Sequence, residues 1–169
     1  MPEPLKSKDR HGVPFTRPPE IEACLTRLES VGVAARLQAF AIASRRRDGY
    51  VPSEALMYFL RRARAAGAQD EFRQIFRLLM KRVGQSLLTT VSDARMAGAQ
   101  DIREEIMGRF AERIAKDGNG RFGMLDFFEV RFDLAFARFR RTVLRQIGPA
   151  SVHTVPLSTD GDEGQDISR

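Results

Sequence analysis

The chain has 169 residues, a formal net charge of +6 and a hydrophobic fraction of 43%; this suits one domain and is too apolar for a disordered chain. No run of about 18 apolar residues occurs, which excludes a transmembrane helix; the polar, proline-rich start lacks the apolar stretch of a secretory signal, so a cytoplasmic protein is expected. A single cysteine, Cys24, excludes an internal disulfide and a cysteine zinc site, and His11 and His153, near opposite ends, make a histidine metal centre unexpected.

Residues 1–19 hold five prolines and read as a flexible arm. From there to residue 148 every segment long enough to assign has helical periodicity, so an all-α bundle of about six helices is expected. The first helix opens at Pro18-Pro19-Glu20 and ends near Gly32. The second runs from Val33 to Arg47 and stops at Asp48-Gly49. Ser53 and Glu54 open the third, which runs to Gly67. Asp70 opens the fourth, to Val83, with an extension to Thr90 that depends on Gly84. Asp101 opens the fifth, to Lys116, closed by Asp117-Gly118-Asn119-Gly120. Asp126 opens the sixth, to Ile147; at about 22 residues and about 33 Å it is the longest expected. Gly148-Pro149 begins a flexible acidic tail, residues 149–169.

One internal repeat stands out. Residues 63–70, ARAAGAQD, match residues 94–101, ARMAGAQD, at seven of eight positions. A solenoid needs about three or more units. Two copies read as a reused boundary, where glycine ends one helix and aspartate caps the next.

The charge is segregated. Residues 149–169 carry one basic and four acidic groups, while 24 of the 28 basic residues in the chain are arginine. A basic middle with an acidic tail points to a polyanion or an acidic protein surface as partner. The last helix concentrates this signal. Phe128, Phe132, Phe136, Phe139, Val143 and Ile147 step by three or four and form a core stripe. Phe127, Arg131, Leu134, Arg138, Arg141 and Arg145 form a second stripe, with Arg140 beside it. Guanidiniums take phosphates and an exposed ring stacks on an unpaired base. The alternative is a solvated basic face neutralised by acids on neighbouring helices. The clusters Arg45-Arg46-Arg47 and Arg61-Arg62-Arg64 fit solubility as well as function.

The loop Asp117 to Phe122 resembles the middle of a calcium-binding EF-hand loop. In the best register position one is Ala115, which has no ligand oxygen, and position twelve is Asp126 rather than glutamate. A plain turn is the better reading, and neither metal nor other cofactor is expected. Cys24 sits in an apolar helix pattern, and there is no glycine-rich phosphate loop or nucleophile elbow, so no enzyme is read.

The segment Ala99-Gln100-Asp101-Ile102-Arg103-Glu104-Glu105-Ile106-Met107-Gly108-Arg109-Phe110 resembles the second conserved region of bacterial RNA polymerase sigma factors. Phe76 to Val83 is similar to the helix that precedes it in that family. The aromatic and basic helix from Asp126, followed by Val155-Pro156-Leu157-Ser158-Thr159-Asp160, is similar to what comes after. The resemblance covers residues 70–160. It implies that Asp101, Glu104, Glu105 and Arg109 meet the clamp helices of the polymerase core's largest subunit. It also implies that Phe127, Phe128, Arg131, Arg138, Arg140, Arg141 and Arg145 face the promoter −10 element, and that an anti-sigma-type regulator is a further partner. The family's melting helix usually carries tryptophan, which this chain lacks; Phe127 and Phe128 are the candidate substitutes. The family's C-terminal helix-turn-helix has no counterpart within these residues, so a shortened sigma-like module is expected. A helical interaction or regulatory protein that does not bind DNA is the alternative.

Overall fold

A computed structural model describes residues 2–9, 11–117 and 123–148; the acidic tail, the Val155–Asp160 segment and the centre of the calcium-like loop lie outside them. Among the described residues there are seven helices and no strand. These are α1 (Pro19–Glu29), α2 (Val33–Phe40), α3 (Ser53–Ala65), α4 (Gln69–Thr90), α5 (Ala99–Lys116), α6 (Asp126–Val130) and α7 (Phe132–Ile147). The all-α class follows from the sequence pattern; the count of six does not. No described helix is long and apolar enough to cross a membrane.

Helix α3 is the central rod. Its run Ala55 to Leu60 is buried without interruption, as expected for a helix with neighbours on several sides. It packs on α1, α4 and α6. Helix α4 turns the stripe Ile75, Leu79, Val83 and Leu87 inward at four-residue steps. Gly84 does not end it. One interior glycine costs only about 1 kcal/mol, and here the bare backbone faces Met107 of α5, whose Sδ would sit 3.7 Å from an added Cβ. Helix α5 buries Ile102, Ile106, Phe110 and Ile114, the expected stripe.

The expected long sixth helix is two. Arg131 adopts φ −149°, ψ 81° and separates α6 from α7. The physical reason lies 78 residues upstream: Glu54 on α3 accepts the Phe132 amide at 2.9 Å. A carboxylate at a helix start satisfies an orphan donor and favours the positive dipole end. Phe128 and Phe132 both pack onto Phe110, whose ring also meets Phe136 and Phe139, all at 5.2–6.2 Å.

Helix α2 stops at Phe40, well before Arg47. The half-buried Arg82 guanidinium of α4 collects the carbonyls of Phe40 (2.9 Å), Ile42 (3.0 Å) and Val51 (2.7 Å), holding the chain in a non-helical path. The repeated cassette does place Gly67 and Gly98 at φ 69° and 68°, where glycine is favoured. However, its aspartates do not cap: α4 and α5 start at Gln69 and Ala99, and neither start has a side-chain cap.

The described part of the N-terminal arm, expected to be loose, is strapped down. Asp126 accepts the backbone amides of Lys6 and Ser7, both at 2.7 Å, and Arg17 donates to Glu129. Asp126 does open a helix, α6, as the sequence predicts. It is also buried, together with Asp117 and Glu129, and buried carboxylates require donors. Arg61 of α3 supplies them: it bridges Asp117 (3.0 Å), Asp126 (2.9 Å) and Glu129. Burial disfavours the charged form of Arg61, but the surrounding carboxylates outweigh it and the guanidinium pKa rises. Burial pushes the Glu129 carboxyl up, against the pull of Arg61 and Arg17. Asp117 and Asp126, the two described carboxylates of the calcium-like pattern, thus both serve a guanidinium.

Candidate nucleic-acid interface

Helix α7 is built on the sequence FDLAFARFRRTVLRQI. Phe132, Ala135, Phe136 and Val143 are buried, so the opposite side faces solvent. Leu134, Arg138, Arg141 and Arg145 share that side, at steps of four, three and four. The three arginines are exposed, Arg131 at the bend is exposed too, and Leu134 is 39% exposed among them. The helix has one acid, Asp133, and it pairs with Arg45 at 2.6 Å on another flank. Among the described residues, no carboxylate lies within ion-pair distance of Arg131, Arg138, Arg140, Arg141 or Arg145. Elsewhere, Arg17, Arg36, Arg61, Arg62, Arg103 and Arg109 all take acids. The α7 row is therefore a region of unneutralised charge, about 10 Å long from Arg138 to Arg145.

The expected ring residues separate. Phe127 is half-buried; the Arg138 guanidinium lies 5.1 Å above its ring and Phe15 of the arm packs at 5.4 Å. Phe128 is a correction: it is 3% exposed, packed against Phe110 and Phe132, and offers no face to a base. It lies one four-residue step before Phe132, on the core stripe that the spacing itself predicts. Arg140 is also displaced from the expected row. It comes two residues after Arg138, about 200° round the helix, and lines a different cleft with Arg45 and Arg82.

On α5, Asp101, Glu104 and Glu105 are exposed. Glu105 accepts from Arg109 at 2.6 Å, and Arg109 also donates to Gln146 of α7 at 2.6 Å. Arg109 thus ties the two candidate surfaces together. Glu104 accepts from Gln100 at 3.1 Å.

Sequence reading missed Arg113. It lies in a groove between α5 and the α6–α7 pair, with Arg109, Arg138, Phe127 and Phe139. It donates to the Met124 carbonyl at 3.2 Å, and its Nε is buried without a partner. Its position in the ordinary charged face of α5 gave no signal; only the fold brings it to the arginine row. Of the two basic clusters, Arg45, Arg46 and Arg47 are exposed, as a solubilising run would be, whereas the second takes structural partners. Arg61 is the hub of the three buried carboxylates, Arg62 pairs with Glu29 at 3.0 Å, and Arg64 donates to the carbonyls of Ile114 and Ala115 at the end of α5, a favourable place for a cation.

Compared with protein-family models, with characterised proteins and with solved structures, the chain matches none.

Proposed function

We propose that the protein is a helical nucleic-acid-binding module that grips a strand through Arg138, Arg141 and Arg145 of α7. The observation that carries this reading is the exposure of these three guanidiniums in line on one face of α7, with no carboxylate in ion-pair distance of any of them among the described residues. Such a face favours a polyanion and gains affinity by releasing counterions. Phe127, held beneath Arg138, and the groove reaching Arg113 put aromatic surface beside the row.

The finer form of the proposal rests on the sigma-factor resemblance. In it, α5 docks on the clamp helices of core RNA polymerase through Asp101, Glu104 and Glu105, while α7 holds the promoter −10 region. No catalytic role belongs to this reading. The test is binding to a forked promoter-like DNA. Replacing Arg138, Arg141 and Arg145 by glutamate should abolish it while the thermal melt stays that of a folded domain. Survival of binding in that variant would remove the reading.

A second reading, an interaction or regulatory protein without DNA binding, draws on Leu134, an apolar side chain exposed among the arginines. A charged patch with an apolar centre also suits an acidic amphipathic helix. Under that reading the protein ignores DNA at low salt and Leu134→Asp weakens partner capture.

A further inference from the structure

Arg140 points away from the arginine row into a separate cleft of about 330 Å³ between the segment after α2, α4 and α7. Arg45, Tyr50, Arg82 and Ser86 line it too. Arg82 is the unusual member. Its guanidinium is held by carbonyl oxygens rather than by a carboxylate, with Tyr50 beneath it at 4.7 Å. Burial, reinforced by Arg45, pulls its pKa below the ordinary arginine value. Carbonyl dipoles supply hydrogen bonds but no net negative charge, and Arg82 is half-buried, where a cation gains from a nearby anion. Arg140 has no carboxylate in ion-pair distance among the described residues, and Arg45 has Asp133, which is itself 67% exposed. Nearby Glu54 is held on α3, where it accepts the Phe132 amide. Three guanidiniums thus converge on one cleft against one removable acid, with the hydroxyls of Tyr50 and Ser86 as further donors.

We propose that this cleft is a phosphate-binding site. The phosphate displaces Asp133 from Arg45, bridges Arg45 to Arg140, and is held by the fixed positive field of Arg82. Its chemistry is shared by a free phosphate monoester and by the diester backbone of a nucleic acid. The site does not depend on the row of Arg138, Arg141 and Arg145, which lies on another side of α7.

The experiment is a chemical-shift titration of the full chain at neutral pH and constant ionic strength, exchanging chloride for inorganic phosphate. Saturable shifts are expected at Arg45, Tyr50 and Arg140. Arg140→Gln should weaken binding about tenfold, the loss of one charge-assisted contact. Asp133→Asn, which removes the competing anion from a surface pair, should tighten it about two- to fivefold. This gain does not depend on the fold of the Arg140 variant. Arg138→Gln/Arg141→Gln/Arg145→Gln should bind phosphate as the parent does, so failure of the nucleic-acid reading leaves this result untouched. A dinucleotide diester without a terminal phosphate separates the sources: equal shifts point to a backbone phosphate, and shifts with inorganic phosphate alone point to a free monoester. A linear, unsaturable response, an Arg140→Gln variant that titrates like the parent, or an Asp133→Asn variant that binds no tighter would each overturn the proposal.

Discussion

Arg61→Met tests the arrangement that holds the arm, α3, α5 and α6 together. Arg61 is 14% exposed, and its partners Asp117, Asp126 and Glu129 are between 1% and 3% exposed. Methionine keeps much of the length and removes the charge. Glu129 would keep Arg17, and Asp126 would keep the amides of Lys6 and Ser7, but Asp117 would lose its guanidinium. Removing one side of a buried ion pair costs about 3–5 kcal/mol. The remaining donors place this case near the lower end, about 3 kcal/mol, which lowers the melting temperature by about 6–12 °C in a chain of this size. The loss should depend on pH. In the variant, a buried carboxylate without its cation has a folded pKa above its unfolded one, so the folded state binds protons more readily. The deficit is therefore full well above that folded pKa and shrinks as pH falls through it. Urea melts of parent and variant at pH 7.5 and pH 5 measure both effects. A loss under about 0.5 kcal/mol at pH 7.5, where exposed pairs usually fall, or an undiminished loss at pH 5, would refute the reasoning.

Phe110→Ala should cost about 3–5 kcal/mol in a chemical melt, because Phe110 is fully buried at the meeting point of four other rings. Burial and the hydrogen bond to Glu29 push the Tyr58 phenol up to about 12. The folded state therefore keeps a proton that the unfolded state loses near pH 10, and this contribution is present below pH 10 and lost as pH rises toward 12. Ultraviolet titration of the parent against Tyr58→Phe reads the late-titrating group directly. Asp101→Ala with Glu105→Ala should weaken capture on immobilised core RNA polymerase by more than it weakens DNA affinity; equal loss of both would contradict the separate roles proposed for α5 and α7.

What the sequence made legible were features set within one helix. The stripes of α4 and α5 come from four-residue spacing, and the outward row of Arg138, Arg141 and Arg145 comes from the same rule. What stayed hidden depended on distant partners. The bend at Arg131 answers to Glu54, far upstream, so Phe128 and Phe132 read as parts of one unbroken helix; their core stripe was legible all the same, and only the family resemblance turned Phe128 toward a base. The early stop of α2 answers to Arg82, which collects carbonyls from either side of a loop. The strapped arm answers to Asp126 and Glu129, acids whose burial no local pattern announces. Arg140 was grouped with its sequence neighbours, although a step of two residues turns a side chain to the far side of a helix. Arg113 carried no signal at all, since its role depends on α5 meeting α7.

The salt dependence of DNA binding tests the central claim most directly. Three phosphate contacts from Arg138, Arg141 and Arg145 give a log–log slope of affinity against salt near about −2.7 on duplex and about −2.1 on single strand. The Arg138→Gln/Arg141→Gln/Arg145→Gln variant should lose that slope together with its affinity. A parent that binds without salt dependence, or a variant that keeps the parent's slope, would contradict the account.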